Sequence, residues 1–137
     1  MKLSARNQFK GTITKINEGA VNGIVTIDVN GTPVTATISM DSIKGLDLKV
    51  GKEAYAVIKA TEVMIGLGEL KLSARNKFAG KITSVKKGAV NAIVTMEACG
   101  ETITSTISLA AVEELGLEAG KAATAVIKAT SVMVAVD

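Results

Sequence analysis

The chain repeats itself once, without a gap, at a constant offset of 69 residues. Residues 2–7 (KLSARN) recur at 71–76, and residues 56–61 (AVIKAT) recur at 125–130. Roughly half of the paired positions are identical. Since a solenoid needs at least about three repeats, two copies predict a tandem of two small domains instead.

The two domains are expected at residues 1–67 and 70–137. The seam between them contains Gly66 and Gly68, which loosen the backbone. Two glycines at the junction therefore favour a linker over a strand or a helix.

Most of each copy has the pattern of β-strands. Residues 9–16 and 53–59 alternate apolar and polar side chains, and residues 21–29 are rich in β-branched residues. Asn30-Gly31 predicts a type I′ hairpin turn, because that turn needs positive φ at both central residues. We expect a return strand at 33–38 and a short last strand at 63–65.

One segment has helical spacing. Met40, Ile43 and Leu46 lie three residues apart, which predicts a short helix capped by Ser39. The second copy repeats this pattern with Ser108, Leu109, Val112 and Leu115. Together the elements predict an all-β fold, a tandem of two small five-stranded OB-like barrels, each with one short helix. Barrels of this size are marginal alone, so we expect an obligate oligomer.

Composition excludes several kinds of site. The chain has no histidine and one cysteine, which removes Ser-His triads, His-ligated metals and thiolate clusters. Its net charge is only +3, and it has three aromatic residues, too few for a base-stacking surface. No pair of carboxylates is kept in both copies. We therefore expect no enzyme, no organic cofactor and no metal held directly by side chains.

No targeting or membrane segment is predicted. No apolar run follows the early positive charges, and none approaches the roughly 18 to 20 residues of a membrane span. Cys99 occupies the turn position of Asn30 in the second copy and has no partner for a disulfide. We expect a cytoplasmic protein without a membrane partner.

The polar residues that both copies keep all donate hydrogen bonds, and none is acidic. They include the pairs Ser4/Ser73, Arg6/Arg75, Asn7/Asn76, Thr37/Thr106, Ser39/Ser108, Lys52/Lys121, Lys59/Lys128 and Thr61/Thr130. A donor-only set suits an anion whose oxygens only accept. It favours a fully deprotonated tetrahedral dianion, such as sulfate, molybdate or tungstate, over hydrogen phosphate.

Three motifs together resemble the molbindin (Mop-type) molybdate-binding domain. They are SARN at 4–7 followed by Phe9-Lys10-Gly11, the loop at 19–21 (GAV), and AVIKAT at 56–61. The second copy matches equally well, so the resemblance covers the whole chain as a tandem form. It implies OB-like barrels that bind molybdate or tungstate in the cytoplasm, for storage or homeostasis. It also implies a homotrimer, with anion sites between barrels and no nucleic-acid partner.

Carried over by position, the resemblance implies two classes of oxyanion site. The interface class combines retained donors of one barrel with helix N-terminal serines of a neighbour: Ser4, Arg6, Asn7, Ser39, Ser42, Lys59, Ala60, Ser73, Arg75, Asn76, Ser108, Lys128 and Ala129. The threefold-axis class uses mainly backbone N–H groups of two loops: Gly19, Ala20, Val21, Asn22, and Gly88, Ala89, Val90, Asn91. Because Ala111 stands where the first copy has Ser42, sites that use the two helices are expected to differ in affinity.

Two other functions stay open. The chain could be a module that docks on another protein and uses the anion as a signal. It could also be an OB-type binder of single-stranded nucleic acid, although the stacking aromatics expected of such a module are missing.

Overall fold

The computed structural model describes residues 1–137 and contains ten strands and two short α-helices. The first repeat forms β1 (Asn7–Glu18), β2 (Asn22–Val29), β3 (Thr32–Ser39), α1 (Met40–Gly45), β4 (Glu53–Ile58), a 3₁₀ turn (Ala60–Glu62) and β5 (Met64–Gly66). The second forms β6 (Asn76–Lys87), β7 (Asn91–Ala98), β8 (Glu101–Ser108), α2 (Leu109–Leu115), β9 (Ala122–Ile127), a 3₁₀ turn (Ala129–Ser131) and β10 (Met133–Ala135).

The strands make two curled five-stranded antiparallel sheets, which confirms the predicted tandem of OB-like barrels. In the first sheet, β1 pairs with β4 along its first half and with β2 along its second half. A bulge between Ile13 and Lys15 separates the two pairings. Bulges increase the local bend and twist of a strand, so β1 can serve both neighbours of a curled sheet.

The two repeats exchange their last strands. The sheet orders are β10-β4-β1-β2-β3 and β5-β9-β6-β7-β8. Thus Met64 of β5 pairs with Val126 in the second sheet, and Met133 of β10 pairs with Val57 in the first. Each sheet therefore contains four strands of one repeat and one of the other, and the core is a single apolar cluster of 27 residues from both repeats.

Two buried asparagines also connect the halves. The side chain of Asn7 donates from Nδ2 to the carbonyls of Ile58 and Thr104, and its Oδ1 accepts from Thr104 N at 2.8 Å. Asn76 makes the matching pair of bonds to the backbone of Thr35, both at 2.8 Å. Each asparagine lies at the start of one sheet and bonds to a strand of the other, so it fixes their relative position.

The hairpin turns agree with the prediction. Asn30 and Gly31 have φ of 52° and 85°, as a type I′ turn requires. Cys99 and Gly100 adopt the same conformation, with φ of 45° and 71°. Cys99 therefore lies in a turn, as its position in the repeat predicted.

The helices are capped as predicted, but the prediction of which apolar side chains they bury is only partly right. The side chains of Ser39 and Ser108 accept from the backbone N–H groups of Ser42 and Ala111. The prediction placed Leu115 on the buried face, whereas it is exposed. Since α2 ends there at a left-handed Gly116, the chain turns and buries Leu117 instead. No helix is long and apolar enough to span a bilayer.

Candidate oxyanion site

A cavity of about 300 Å³ brings together the first repeat's predicted ligands. Ser4, Arg6, Lys59 and Ala60 line it. The remaining lining residues are Leu3, Ala5, Thr61 and Met133. Because Met133 belongs to the exchanged strand β10, the cavity is completed by the second repeat.

A second cavity of about 250 Å³ repeats this arrangement. Ser73, Arg75, Lys128 and Ala129 line it, as the offset of 69 requires. Its other lining residues are Ala74, Thr130 and Thr37. Thr37 belongs to β3 of the first repeat, so this cavity also spans both halves of the chain.

Strand register explains why the serine–arginine and lysine motifs meet. Asn7 pairs with Ile58 at the end of the β1–β4 ladder. Arg6 precedes Asn7 and Lys59 follows Ile58, so both residues lie just beyond the same end of this ladder. The register Asn76↔Ile127 places Arg75 and Lys128 in the same way. Two motifs 55 residues apart in sequence, counted from Ser4 to Lys59, therefore form one site.

Both cavities are electropositive. Neither is lined by a carboxylate, and each holds one arginine and one lysine. The two salt bridges of the chain are Lys10–Glu53 and Lys49–Asp47, so the four cavity cations have no ion-pair partner. Unneutralised guanidinium and ammonium groups beside serine and threonine hydroxyls can donate several charge-assisted bonds to one anion.

The side chains of the retained asparagines, unlike the cavity cations, already form hydrogen bonds within the chain. Both Nδ2 hydrogens of Asn7 are committed to backbone carbonyls, and its exposed fraction is 0%. Asn76 is similarly buried and bonded to Thr35. We assign both residues to holding the halves together, and their predicted role as anion ligands finds no support in this geometry.

Lys52 and Lys121 also have a structural role. Lys52 Nζ donates to the carbonyls of Leu46 and Asp47 at 2.9 and 3.2 Å, just after α1. Lys121 binds the carbonyls of Leu115 and Gly116 in the same way after α2. A cation at a helix C-terminus satisfies carbonyls that lack intrahelical partners. These lysines were retained donors in the sequence, but they lie outside both cavities.

The predicted helix serines lie elsewhere in the chain. Ser39 and Ser42 bond to each other at 2.9 Å at the start of α1 and line neither cavity. They adjoin the loop at 19–22 instead, because Met40 N donates to Val21 O and Asn22 pairs with Ser39. Ser108 adjoins the loop at 88–91 in the same way. Within one chain, the helix serines and the loops predicted for the threefold axis form one region, and the cavities form another.

Sequence reasoning missed part of the cavity wall. Leu3 and Met133 contribute apolar surface to the first cavity, and Thr37 contributes a hydroxyl to the second. Thr37 and Thr61 were among the retained donors, so joint retention was a usable signal for both. The position of Met133 depended on the strand exchange, which the sequence did not indicate.

The family comparison agrees with the repeat. The family described as "TOBE domain" matches residues 3–65 and again residues 72–134. The chain belongs to the TOBE-domain family. The two matched segments correspond to the two sequence repeats and contain both sets of cavity residues.

Individual relatives match either the whole chain or one repeat of it. The chain is 39% identical over its whole length to a molybdenum transport protein ModE of Herbaspirillum seropedicae and covers 52% of it. The chain thus spans about half the length of the ModE relatives that it matches. A probable molybdenum-pterin-binding protein of Haemophilus influenzae is 56% identical over 49% of this chain and 99% of its own length. These names confirm the resemblance to the molbindin family.

A solved structure shares the tandem TOBE architecture over its full length. It is a crystal structure of the cytoplasmic molybdate-binding protein ModG with molybdate bound. It superposes with a TM-score of 0.96, is 44% identical in sequence, and each chain covers 100% of the other. The fold of this chain, including two TOBE domains in tandem, is therefore one that occurs in a molybdate-binding protein.

Proposed function

We propose that this chain binds molybdate, or the closely similar tungstate, in the two cavities and serves as a cytoplasmic store or buffer of the anion. The observation that carries the proposal is the duplicated set of serine, arginine and lysine around a cavity with no carboxylate. The tandem relative that is described as a cytoplasmic molybdate-binding protein supports the same choice of ligand and compartment.

The donor chemistry favours a dianion without a proton. Arginine and lysine only donate hydrogen bonds, and the cavity has no carboxylate to accept a proton from the ligand. Hydrogen phosphate carries such a proton near neutral pH, whereas molybdate, tungstate and sulfate do not. Discrimination against sulfate then depends on cavity size, because molybdate is the larger dianion.

The expected affinity follows from the number of bonds. Each charge-assisted hydrogen bond contributes about 1.5 to 3 kcal/mol net. Several of them, less the cost of desolvating and fixing the anion, give about −8 kcal/mol, which corresponds to roughly micromolar affinity. The proposed function is binding rather than catalysis, in keeping with the similar tandem protein that is described as molybdate-binding.

Assembly is the second part of the proposal. Large apolar side chains stay exposed in the single chain, among them Val21 at 75% and Val90 at 76%. A separate cavity of about 200 Å³ is walled by Met64, Ile65, Leu70 and Leu72, with Gly66 and Val126. Exposed apolar surface of this kind is typical of contacts between subunits. We propose a homotrimer, in which the helix serines of one chain approach a cavity of another; light scattering at several protein concentrations tests the trimer.

Calorimetric titration with molybdate tests the ligand. The protein is titrated at fixed ionic strength, with and without excess sulfate as competitor. Uptake of more than one molybdate per chain that sulfate does not displace would support the proposal. Absence of heat, or heat removed equally by sulfate, would contradict it. In the latter case the cavities would be generic anion contacts.

A further inference from the structure

The segments that carry the serine and arginine of each cavity have no regular structure. Residues 1–6 precede β1 and residues 70–75 precede β6, and neither segment takes part in a backbone–backbone hydrogen bond. A segment without such bonds can sample many backbone conformations. The positions of Ser4 and Arg6 in the first cavity, and of Ser73 and Arg75 in the second, therefore depend on side-chain contacts.

In the first repeat one side chain, that of Gln8, supplies the hydrogen bonds that hold this segment. Gln8 Nε2 donates to the Leu3 carbonyl at 3.1 Å and to the Ala5 carbonyl at 2.8 Å. Both distances are usual for N–H···O hydrogen bonds. Leu3 and Ala5 are the neighbours of Ser4 in sequence, so the two bonds fix the backbone on both sides of this cavity residue.

Strand register places Gln8 on the face of the sheet that bears the first cavity. Gln8 pairs with Val57, and Val57 pairs with Met133. Side chains of directly paired residues project from the same face of a sheet. Met133 lines the first cavity, whereas Gln8 is not among its lining residues. Gln8 is therefore placed to hold the backbone of the cavity and not to bind its ligand.

The second repeat lacks this support, because Lys77 stands where the first repeat has Gln8. Lys77 Nζ makes one hydrogen bond, to the Leu70 carbonyl, at 3.4 Å. That distance is long for an N–H···O bond, and the lysine is exposed. The carbonyls of Leu72 and Ala74, which flank Ser73, receive no hydrogen bond from any side chain or backbone group of the chain.

We infer that Gln8 is a positioning residue for oxyanion binding, which holds the backbone around Ser4 in the conformation that binds the anion. The inference rests on the proposed function, because it takes the two cavities as the anion sites. A site whose binding conformation is only partly populated binds more weakly, in proportion to that population. The first cavity is therefore expected to fill at a lower molybdate concentration than the second.

Electrostatic attraction alone predicts the opposite order. Gln8 is neutral, whereas Lys77 adds a positive charge two residues after Arg75. A nearby cation attracts a dianion, so charge alone would make the second cavity the stronger one. It would also make Gln8→Lys strengthen binding at the first cavity. The two explanations thus predict effects of opposite sign for the same substitution.

Exchange of these residues between the repeats tests the inference, one cavity at a time. In an Arg75→Ala background, calorimetric titration with molybdate reports mainly on the first cavity, and Gln8→Lys and the uncharged Gln8→Met are compared there. In an Arg6→Ala background, the titration reports on the second cavity, and Lys77→Gln is compared there. The control Thr14→Lys adds a charge at an exposed position of β1 outside both cavities. Urea unfolding checks that each variant is folded.

Gln8→Lys and Gln8→Met should each weaken binding at the first cavity by about three- to tenfold, as when the binding conformation falls to about a third or a tenth of the population. Lys77→Gln should strengthen binding at the second cavity by a similar factor, although it removes a positive charge. Thr14→Lys should not weaken binding. Because Lys77→Gln introduces the support instead of removing it, it tests the inference even if a Gln8 variant is unstable.

Backbone mobility in the anion-free protein gives a second measurement. The ¹⁵N order parameters of residues 3–6 should exceed those of residues 72–75 in the wild type. Gln8→Met should lower the first set, and Lys77→Gln should raise the second. If Gln8 contributed only to global stability, neither substitution would change the order parameters of these segments.

Unchanged or stronger binding in both Gln8 variants, or weaker binding in Lys77→Gln, would overturn the inference and leave the proposed function standing. Failure of the proposed function has a different signature. In that case the wild type takes up no molybdate, or the Arg6→Ala and Arg75→Ala backgrounds bind it as tightly as the wild type does. Either of these results would overturn the inference together with the proposed function.

Discussion

Glu62 and Ser131, which occupy the same position in the two repeats, contact each other directly. Ser131 Oγ donates to Glu62 Oε2 at 3.1 Å. Asn30 and Cys99 are also equivalent positions, and Asn30 Nδ2 donates to the Cys99 carbonyl at 3.1 Å. Equivalent positions can meet only beside a twofold axis, so a pseudo-twofold axis relates the repeats. Each residue beside this axis contacts the residue at the equivalent position of the other repeat.

Because the axis brings positions 62 and 131 together, a serine facing a glutamate should be more stable there than two glutamates facing each other. Ser131→Glu should place two carboxylates opposite each other and lower the free energy of unfolding by up to about 1 kcal/mol, as expected for exposed charges. The double variant Glu62→Ser/Ser131→Glu restores one serine and one glutamate and should recover most of the loss. Urea denaturation of the wild type, the two single variants Glu62→Ser and Ser131→Glu, and the double variant measures the coupling free energy between the two positions. A double variant as unstable as Ser131→Glu alone would contradict the pairing argument.

Asn7 should be a stability residue rather than a ligand. Asn7→Ala leaves the partly buried N–H of Thr104 without its partner, and an unsatisfied group away from water costs about 1 to 3 kcal/mol. Thermal or urea unfolding should show this loss, and Asn22→Ala, at an exposed position, serves as the control. If Asn7→Ala unfolds like the control but binds molybdate more weakly, the residue is a ligand after all.

The arginines should matter for binding and little for folding. Arg6→Ala and Arg75→Ala each remove a guanidinium that has no ion-pair partner in the chain. Losing one or more charge-assisted bonds should weaken molybdate binding at that cavity by about tenfold or more. Calorimetric titration measures the effect, and the unfolding midpoint should stay near that of the wild type. An unchanged titration in the double variant would show that the anion binds elsewhere.

Lys52, in contrast to the arginines, should matter for folding and little for binding. Lys52→Met keeps the aliphatic stem but removes the ammonium that binds the Leu46 and Asp47 carbonyls. We expect a loss of about 0.5 to 1 kcal/mol in unfolding free energy, typical of a charge at a helix C-terminus. Molybdate binding should not change, which distinguishes this lysine from Lys59. A weakened titration with unaltered stability would place Lys52 in the binding site.

Cys99 should react slowly as a nucleophile. Burial raises the pKa of the Cys99 thiol, and the nearby Glu101 carboxylate raises it further. The folded state thus favours the neutral thiol, so its contribution to stability is full below the ordinary thiol pKa and is lost as pH rises through the raised one. Alkylation at pH 8 should be slower in the native protein than in urea, and Glu101→Gln should accelerate it. Equal rates with and without urea would contradict the shift.

The sequence predicted the barrels well because the repeat, the alternation and the Asn30-Gly31 turn all act locally. It could not predict the strand exchange. The two last strands, at 64–66 and 133–135, are equivalent segments of the repeat, so either can complete either sheet with similar side chains. Which one does so depends on the path of the linker in three dimensions.

The ligand prediction was limited for a related reason. Retention in both repeats selects donors with an important role, but it does not separate binding from structure. Arg6 and Lys59 line a cavity, whereas Asn7 and Lys52, equally retained, satisfy backbone carbonyls. Only the register of β1 with β4 and the end of α1 distinguish the two groups, and both are tertiary features.

The exchanged strand also affects how the protein is made. Domains generally fold as units, with the N-terminal one first during synthesis. Here the first sheet needs Met133–Ala135 to cover the edge of β4. Until the ribosome has added that segment, β4 stays an uncovered edge strand, which other chains can pair with. A nascent chain, or one that terminates before this segment, is therefore expected to rely on chaperones.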